Sequence, residues 1–186
     1  MLNTTFVAQR KSDGAVVKTW TPSEFWAPVA AGDSLFDPRV AFDALAGRWI
    51  AVIATDGIWA APALLLAVSE ASDPTGTWRF QKLPAGGSAY AEFPLVGCER
   101  TLDRGDVEPR LGIDRIPLGI GDLGNRKAPL LSGGEPSVTR LTLNVPGSPL
   151  APVVTLDADQ TDEFLVQQGK RERPGPRPPR ACFRLD

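Results

Sequence analysis

Residues 36–80 read FDPRVAFDALAGRWIAVIATDGIWAAPALLLAVSEASDPTGTWRF, and the reading of this stretch decides the fold. Asp43-Ala44-Leu45-Ala46-Gly47 separates Val40-Ala41-Phe42 from Arg48-Trp49-Ile50-Ala51-Val52-Ile53. A short loop closed by Gly suits a hairpin, because Gly takes positive φ without a Cβ clash. The strand that follows mixes Trp, Ile and Val, which fit a pleated, half-buried surface. Ala63-Leu64-Leu65-Leu66-Ala67-Val68 is a continuous apolar run of strand length, as expected of a strand covered on both faces; a buried helix has the same local pattern. Ser72-Asp73-Pro74-Thr75-Gly76-Thr77-Trp78 then supplies Asp to start a turn, Pro with φ preset, Gly three residues after the Asp, and an aromatic entering the next strand. Two or three short strands joined by nameable turns describe an antiparallel blade.

Working outward, Thr5 to Arg10 and Ala15 to Trp20 read as strands flanking the hairpin signal Lys11-Ser12-Asp13-Gly14. Pro22 to Gly32 reads as a loop carrying Phe25 and Trp26, a cap over an open blade end ahead of the alternative of an aromatic ligand platform, with Trp26 the one aromatic to test for exposure. Trp20, Trp49, Trp59 and Trp78 read as blade core. Ala85-Gly86-Gly87-Ser88 is a loop, and Tyr90 to Val96 leads towards another strand.

The order of these marks resembles that of a largely uncharacterised family of bacterial secreted β-propeller proteins, with DP-x-V, GRW, AVS and DPTG-x-W in sequence. Asn3-Thr4-Thr5-Phe6-Val7 and Thr21-Pro22-Ser23-Glu24-Phe25-Trp26 resemble the opening of the same family. The resemblance covers Asn3 to Gly97. Each mark alone is a turn plus an aromatic, so its specificity lies in order and spacing. It implies an all-β fold of antiparallel propeller-like blades and an exported, extracellular protein. At 186 residues the chain is short for the four or more four-stranded blades of a closed ring, so an incomplete ring is expected. The start, Met1-Leu2-Asn3-Thr4-Thr5-Phe6, lacks the basic and apolar regions of a signal peptide and reads as an internal one.

Past Gly97 the character changes. From Cys98 to Lys127, twelve of thirty residues are charged and none is aromatic; only Phe164 and Phe183 follow Phe93 among the aromatics. A thirty-residue loop without periodicity is uncommon inside a blade. Reading Cys98 to Glu108 one base further on, with permitted codons, yields VNGRWIVVTSN. The same offset turns Gly169 to Pro179 into GNGNGRGLVRL. Both segments are therefore read as translated out of frame, ahead of the alternative of an insertion loop and a disordered tail. The expected organisation is propeller-like blades over 1–97, an irregular segment over 98–127, partial blade strands over 128–168, and a basic, Pro-rich disordered tail over 169–186. Strands lacking neighbours expose edges, so the chain is expected to fold poorly or aggregate.

Net charge of −2 and pI near 5.3 give no electrostatic footprint for nucleic acid, and no apolar run approaches a membrane span. Histidine is absent, which removes Ser-His-Asp and Cys-His catalysis and imidazole metal sites. Cys98 and Cys182 have no CxxC spacing. Glycoside hydrolysis needs two carboxylates about 5–10 Å apart. Asp37, with Asp43, Asp73 or Glu92, is the candidate set, but an Asp before Pro is usually a turn former. Asp33 with Asp37, or Asp157 with Asp159 and Asp162, offers oxygen ligands for calcium without EF-hand order. Gly86-Gly87 and Gly133-Gly134 lack phosphate-loop context. The turn at Asp73 resembles the Asp box of sialidase-like propellers, with two residues rather than one between Asp and Gly. The sequence therefore assigns no catalytic, metal or cofactor residue. It points to a non-enzymatic binding or structural module with an extracellular carbohydrate or protein ligand, the alternative being a glycoside hydrolase or sialidase-like enzyme.

Overall fold

A computed structural model describes residues 4–55, 62–84, 94–98, 110–114, 120–126, 132, 138–143, 150–152, 164–167 and 182–184. The chain divides into two units, residues 1–94 and 95–186. All sheets are antiparallel, and within each one every strand pairs with its neighbour in sequence. The all-β expectation holds.

The first unit begins with a hairpin of β1 (Phe6–Gln9) and β2 (Val16–Trp20), in register from Phe6 opposite Trp20. Its turn is held at Gly14, whose φ is 71°, while Asp13 Oδ1 accepts from the Ala15 amide at 3.0 Å. The hairpin expected around residues 11–14 is present.

Pro22 to Gly32, expected as a loop, instead contains helix α1 (Pro22–Ala30). Thr21 and Glu24 form a reciprocal capping box: Thr21 Oγ1 accepts from the Glu24 amide at 3.2 Å, and Glu24 Oε2 accepts from the Thr21 amide at 2.7 Å. Pro22 at the first helical position has no amide to leave unsatisfied. Trp26, the aromatic singled out to test for exposure, is 0% exposed. The burial has a packing cause, because a helix can turn two successive aromatics into a core that an extended loop would leave in water.

The principal sheet is a four-stranded meander of β3 (Leu35–Asp43), β4 (Arg48–Thr55), β5 (Ala63–Ser69) and β6 (Trp78–Pro84). One face carries Ala51, Ile53, Leu65 and Ala67 and packs against Phe25, Trp26 and Ala30 of α1, with Phe6, Trp20, Leu35, Trp78 and Phe80 around them. Phe25 is the hub. Its ring lies 5.2 Å from Phe6 in a stack, and edge-on to Trp20, Trp26, Trp78 and Phe80 at 5.0–5.8 Å. Strand alternation sends Ile50, Val52, Ala54, Leu64, Leu66 and Val68 to the opposite face, and these are buried as well. The apolar run at 63–68 is therefore a strand buried on both faces, as its composition implies.

The second unit contains a four-stranded meander of β7 (Leu95–Cys98), β8 (Arg110–Asp114), β9 (Ile120–Arg126) and β10 (Val138–Leu143). A three-stranded sheet follows, made of β11 (Leu150–Pro152), β12 (Phe164–Gln167) and β13 (Cys182–Arg184). Thus β8 and β9 lie within the stretch read as irregular, 98–127, and β13 within the stretch read as a disordered tail. Their sequences, RLGID, IGDLGNR and CFR, hold few alternating β-branched or aromatic residues, which is why period-2 patterning does not mark them. Cys98 and Cys182 belong to different sheets.

Candidate functional site

The two ends of the principal sheet differ in what their polar groups do. The β3–β4 and β5–β6 turns share one end. There Asp43 Oδ1 accepts from the amides of Leu45 and Ala46, each at 3.1 Å, and Gly47 closes the loop with φ of 64°. At the neighbouring turn Asp73 Oδ1 accepts from the Thr75 amide at 2.8 Å and the Thr75 hydroxyl at 2.7 Å. Those two bonds, the backbone one first, hold the Asp73 carboxyl below the usual carboxylate range.

Two indoles bracket the Asp73 turn. Trp49 Nε1 donates to the Ser72 carbonyl and Trp78 Nε1 to the Pro74 carbonyl, both at 2.9 Å. Lys18 reaches across from β2, donating to the Thr75 carbonyl at 2.9 Å while lying 4.7 Å from the centre of the Trp20 ring. Asp73, Trp49 and Trp78 thus hold the turn's backbone, and Lys18 ties the β1–β2 hairpin to it. Trp49, Trp78 and Trp20 are partly buried, and Phe42, 40% exposed, lies 4.9 Å from the Trp49 ring.

The opposite end carries Asp37. Between Phe36 opposite Ala54 and Arg39 opposite Val52, β3 holds one residue more than β4, a bulge at Asp37-Pro38. Asp37 has φ of 53°, the one non-glycine among the described residues in the left-handed region. Asp33 sits just beyond α1, and its Oδ2 pairs with Lys82 Nζ of β6 at 2.7 Å. This pair ties the end of the helix to the sheet.

Of the carboxylates considered for glycoside hydrolysis, Asp43 and Asp73 serve turns at one end and Asp37 a bulge towards the other. The structure does not gather these three. Asp33, considered with Asp37 for calcium, is engaged by Lys82. Among the described residues, no group of three His, Cys, Asp or Glu side chains is placed to hold a metal ion. Glu92, Asp157, Asp159, Asp162, Trp59, Gly86-Gly87 and Gly133-Gly134 lie outside the described residues. Sequence reading missed the capping box at Thr21 and Glu24, although T-P-S-E before an aromatic pair is its local signature. It also missed the bulge, because Asp-Pro reads as a turn whether or not it interrupts a strand.

Comparison with protein-family models, with curated proteins and with solved structures finds no match to this chain.

Proposed function

We propose that the chain is a non-enzymatic β-propeller module of an exported bacterial protein, acting as a binding or structural element towards an extracellular carbohydrate or protein. The observation that carries this reading is the burial of β5 on both faces: Leu64, Leu65, Leu66 and Ala67 are each at most 1% exposed. An antiparallel sheet in a two-layer protein shows water one face and alternates accordingly. A blade inside a radial stack needs neighbours on both sides and reads as a continuous apolar run. The sequential four-stranded meander over 35–84, with its turns held by Asp43 and Asp73, supports the same reading.

A glycoside hydrolase or sialidase-like enzyme on the same fold is the second reading, favoured by one observation. Asp37 adopts a left-handed backbone at a strand bulge, a feature over-represented beside active sites. One experiment separates them. The purified chain is incubated with a panel of chromogenic glycosides, sialosides included. A module releases no chromophore above buffer. Release that disappears in a folded Asp37→Asn variant overturns the non-enzymatic reading.

A further inference from the structure

We propose that Asp13-Gly14 is a latent site of aspartate isomerisation, which the folded β1–β2 hairpin suppresses by engaging the groups the reaction uses. Glycine has no side chain to hinder its own nitrogen and its backbone is permissive, so an Asp-Gly pair closes on itself most readily. In that reaction the Gly14 nitrogen bonds to Cγ of Asp13. One carboxyl oxygen leaves as water, taking the amide hydrogen and a proton from solvent. Water then opens the five-membered imide at either carbonyl, and nothing is oxidised or reduced. Opening at Cγ restores aspartate. Opening at the backbone carbonyl leaves isoaspartate, with the main chain rerouted through the side chain and one atom longer.

In the hairpin each participant is held. The Gly14 amide donates to the Arg10 carbonyl at 2.8 Å, and the Arg10 amide donates to the Ala15 carbonyl at 2.9 Å, which closes the turn. Asp13 Oδ1 accepts from the Ala15 amide at 3.0 Å, while Oδ2 pairs with the Arg10 guanidinium at 2.7 Å. An imide nitrogen carries no hydrogen, so the ring cannot close without losing the bond from Gly14 to Arg10. The carboxylate that holds Ala15 and the guanidinium is consumed in the same step. Burial offers no protection, because the Arg10 and Asp13 side chains are 57% and 48% exposed and water reaches them. Suppression therefore falls to hydrogen bonding, and two bonds of ordinary net strength correspond to a slowing of about tenfold. Isoaspartate at this turn marks a chain whose hairpin has been open.

The test is peptide mapping by mass spectrometry, with fragmentation that separates isoaspartate from aspartate. The full chain is incubated at neutral pH in buffer and, in parallel, in denaturing urea. Isoaspartate at position 13 is expected to accumulate in urea and to do so about tenfold more slowly in buffer. Arg10→Ala removes the guanidinium and keeps both backbone bonds of residue 10. It is expected to isomerise faster than the parent in buffer and at the parent's rate in urea, and Arg10→Gln serves if the alanine variant does not fold. Equal rates for the parent in buffer and in urea overturn the proposal. So does the absence of isoaspartate at position 13 in urea, or a folded residue-10 variant that matches the parent in buffer.

Discussion

Trp26 offers the sharpest test of how the first unit is built. Its indole is 0% exposed, edge-on to Phe25 at 5.2 Å and to Phe80 at 5.6 Å. Among the described residues its Nε1–H has no hydrogen-bond partner. Trp26→Ala removes the whole ring from a packed core, for which about 3–5 kcal/mol is expected. Trp26→Phe also loses volume, but it deletes a buried unpaired donor whose desolvation costs about 1–3 kcal/mol. The two effects oppose one another, so the phenylalanine variant should lose clearly less than the alanine variant. An exposed Trp26 predicts something else, because surface changes away from special features fall within about 0.5 kcal/mol. Urea unfolding followed by circular dichroism, with the denaturant slope checked for constancy, measures both variants. A loss under about 1 kcal/mol for Trp26→Ala would refute the buried helix. Equal losses for the two variants would refute the idea that the indole N–H is a liability.

Three further outcomes are expected from the geometry. Leu65→Ala and Leu66→Ala lie on opposite faces of β5, and each should cost about 2–5 kcal/mol in urea unfolding; a near-neutral Leu66→Ala would show the second face to be wet, contrary to its burial. Gly47 has φ of 64° and open space where a Cβ would stand, with nothing within 4 Å. Its change to Ala should therefore cost about 1 kcal/mol in the same assay from backbone conformation alone, and a stabilised variant would contradict the turn. The carboxyls of Asp73 and Glu24 are both held low by hydrogen bonds, from Thr75 and Thr21 respectively, the backbone amide contributing most in each case. A carboxyl whose folded pKa is depressed stabilises the fold above its unfolded pKa, near 4, and that contribution fades as pH falls through the folded value. Thermal melts from pH 6 down to about 2 should therefore fall less steeply in Asp73→Asn and Glu24→Gln than in the parent, and parallel curves would sink the assignment.

How much of this is legible in the sequence depends on the range over which each feature is decided. The turns at Gly14, Asp43–Gly47 and Asp73–Gly76 are legible because each is settled within a few residues, by an Asp that accepts from amides two or three places on or by a Gly that takes positive φ. The double-sided burial of β5 is legible because an uninterrupted apolar run has no polar face to offer water. Helix α1 escapes a reading of the sequence although its capping box is written in Thr21 and Glu24. Two adjacent aromatics and two prolines in nine residues outweigh that local signal, and packing against Phe80 and Leu65 decides the matter. The bracket of Trp49 and Trp78 around the Asp73 turn cannot be read at all, since Trp49 lies 23 residues from the carbonyl it binds. For the candidate site, sequence names Asp37, Asp43 and Asp73 without being able to say that the fold sends them to different tasks.

Asp37-Pro38 shows why that last distinction matters. In isolation the dipeptide is a turn former, and on that ground Asp37 is dismissed as a catalytic acid. In the sheet it is not a turn: β3 continues through it, with Leu35-Phe36 still paired to β4 on one side and Arg39–Asp43 on the other. The strand absorbs one unmatched residue and a left-handed Asp and then resumes. A lone Asp can hold that conformation inside a strand because its short carboxylate can hydrogen-bond locally, so the same residue type that opens turns elsewhere here marks a bulge in a continuous strand.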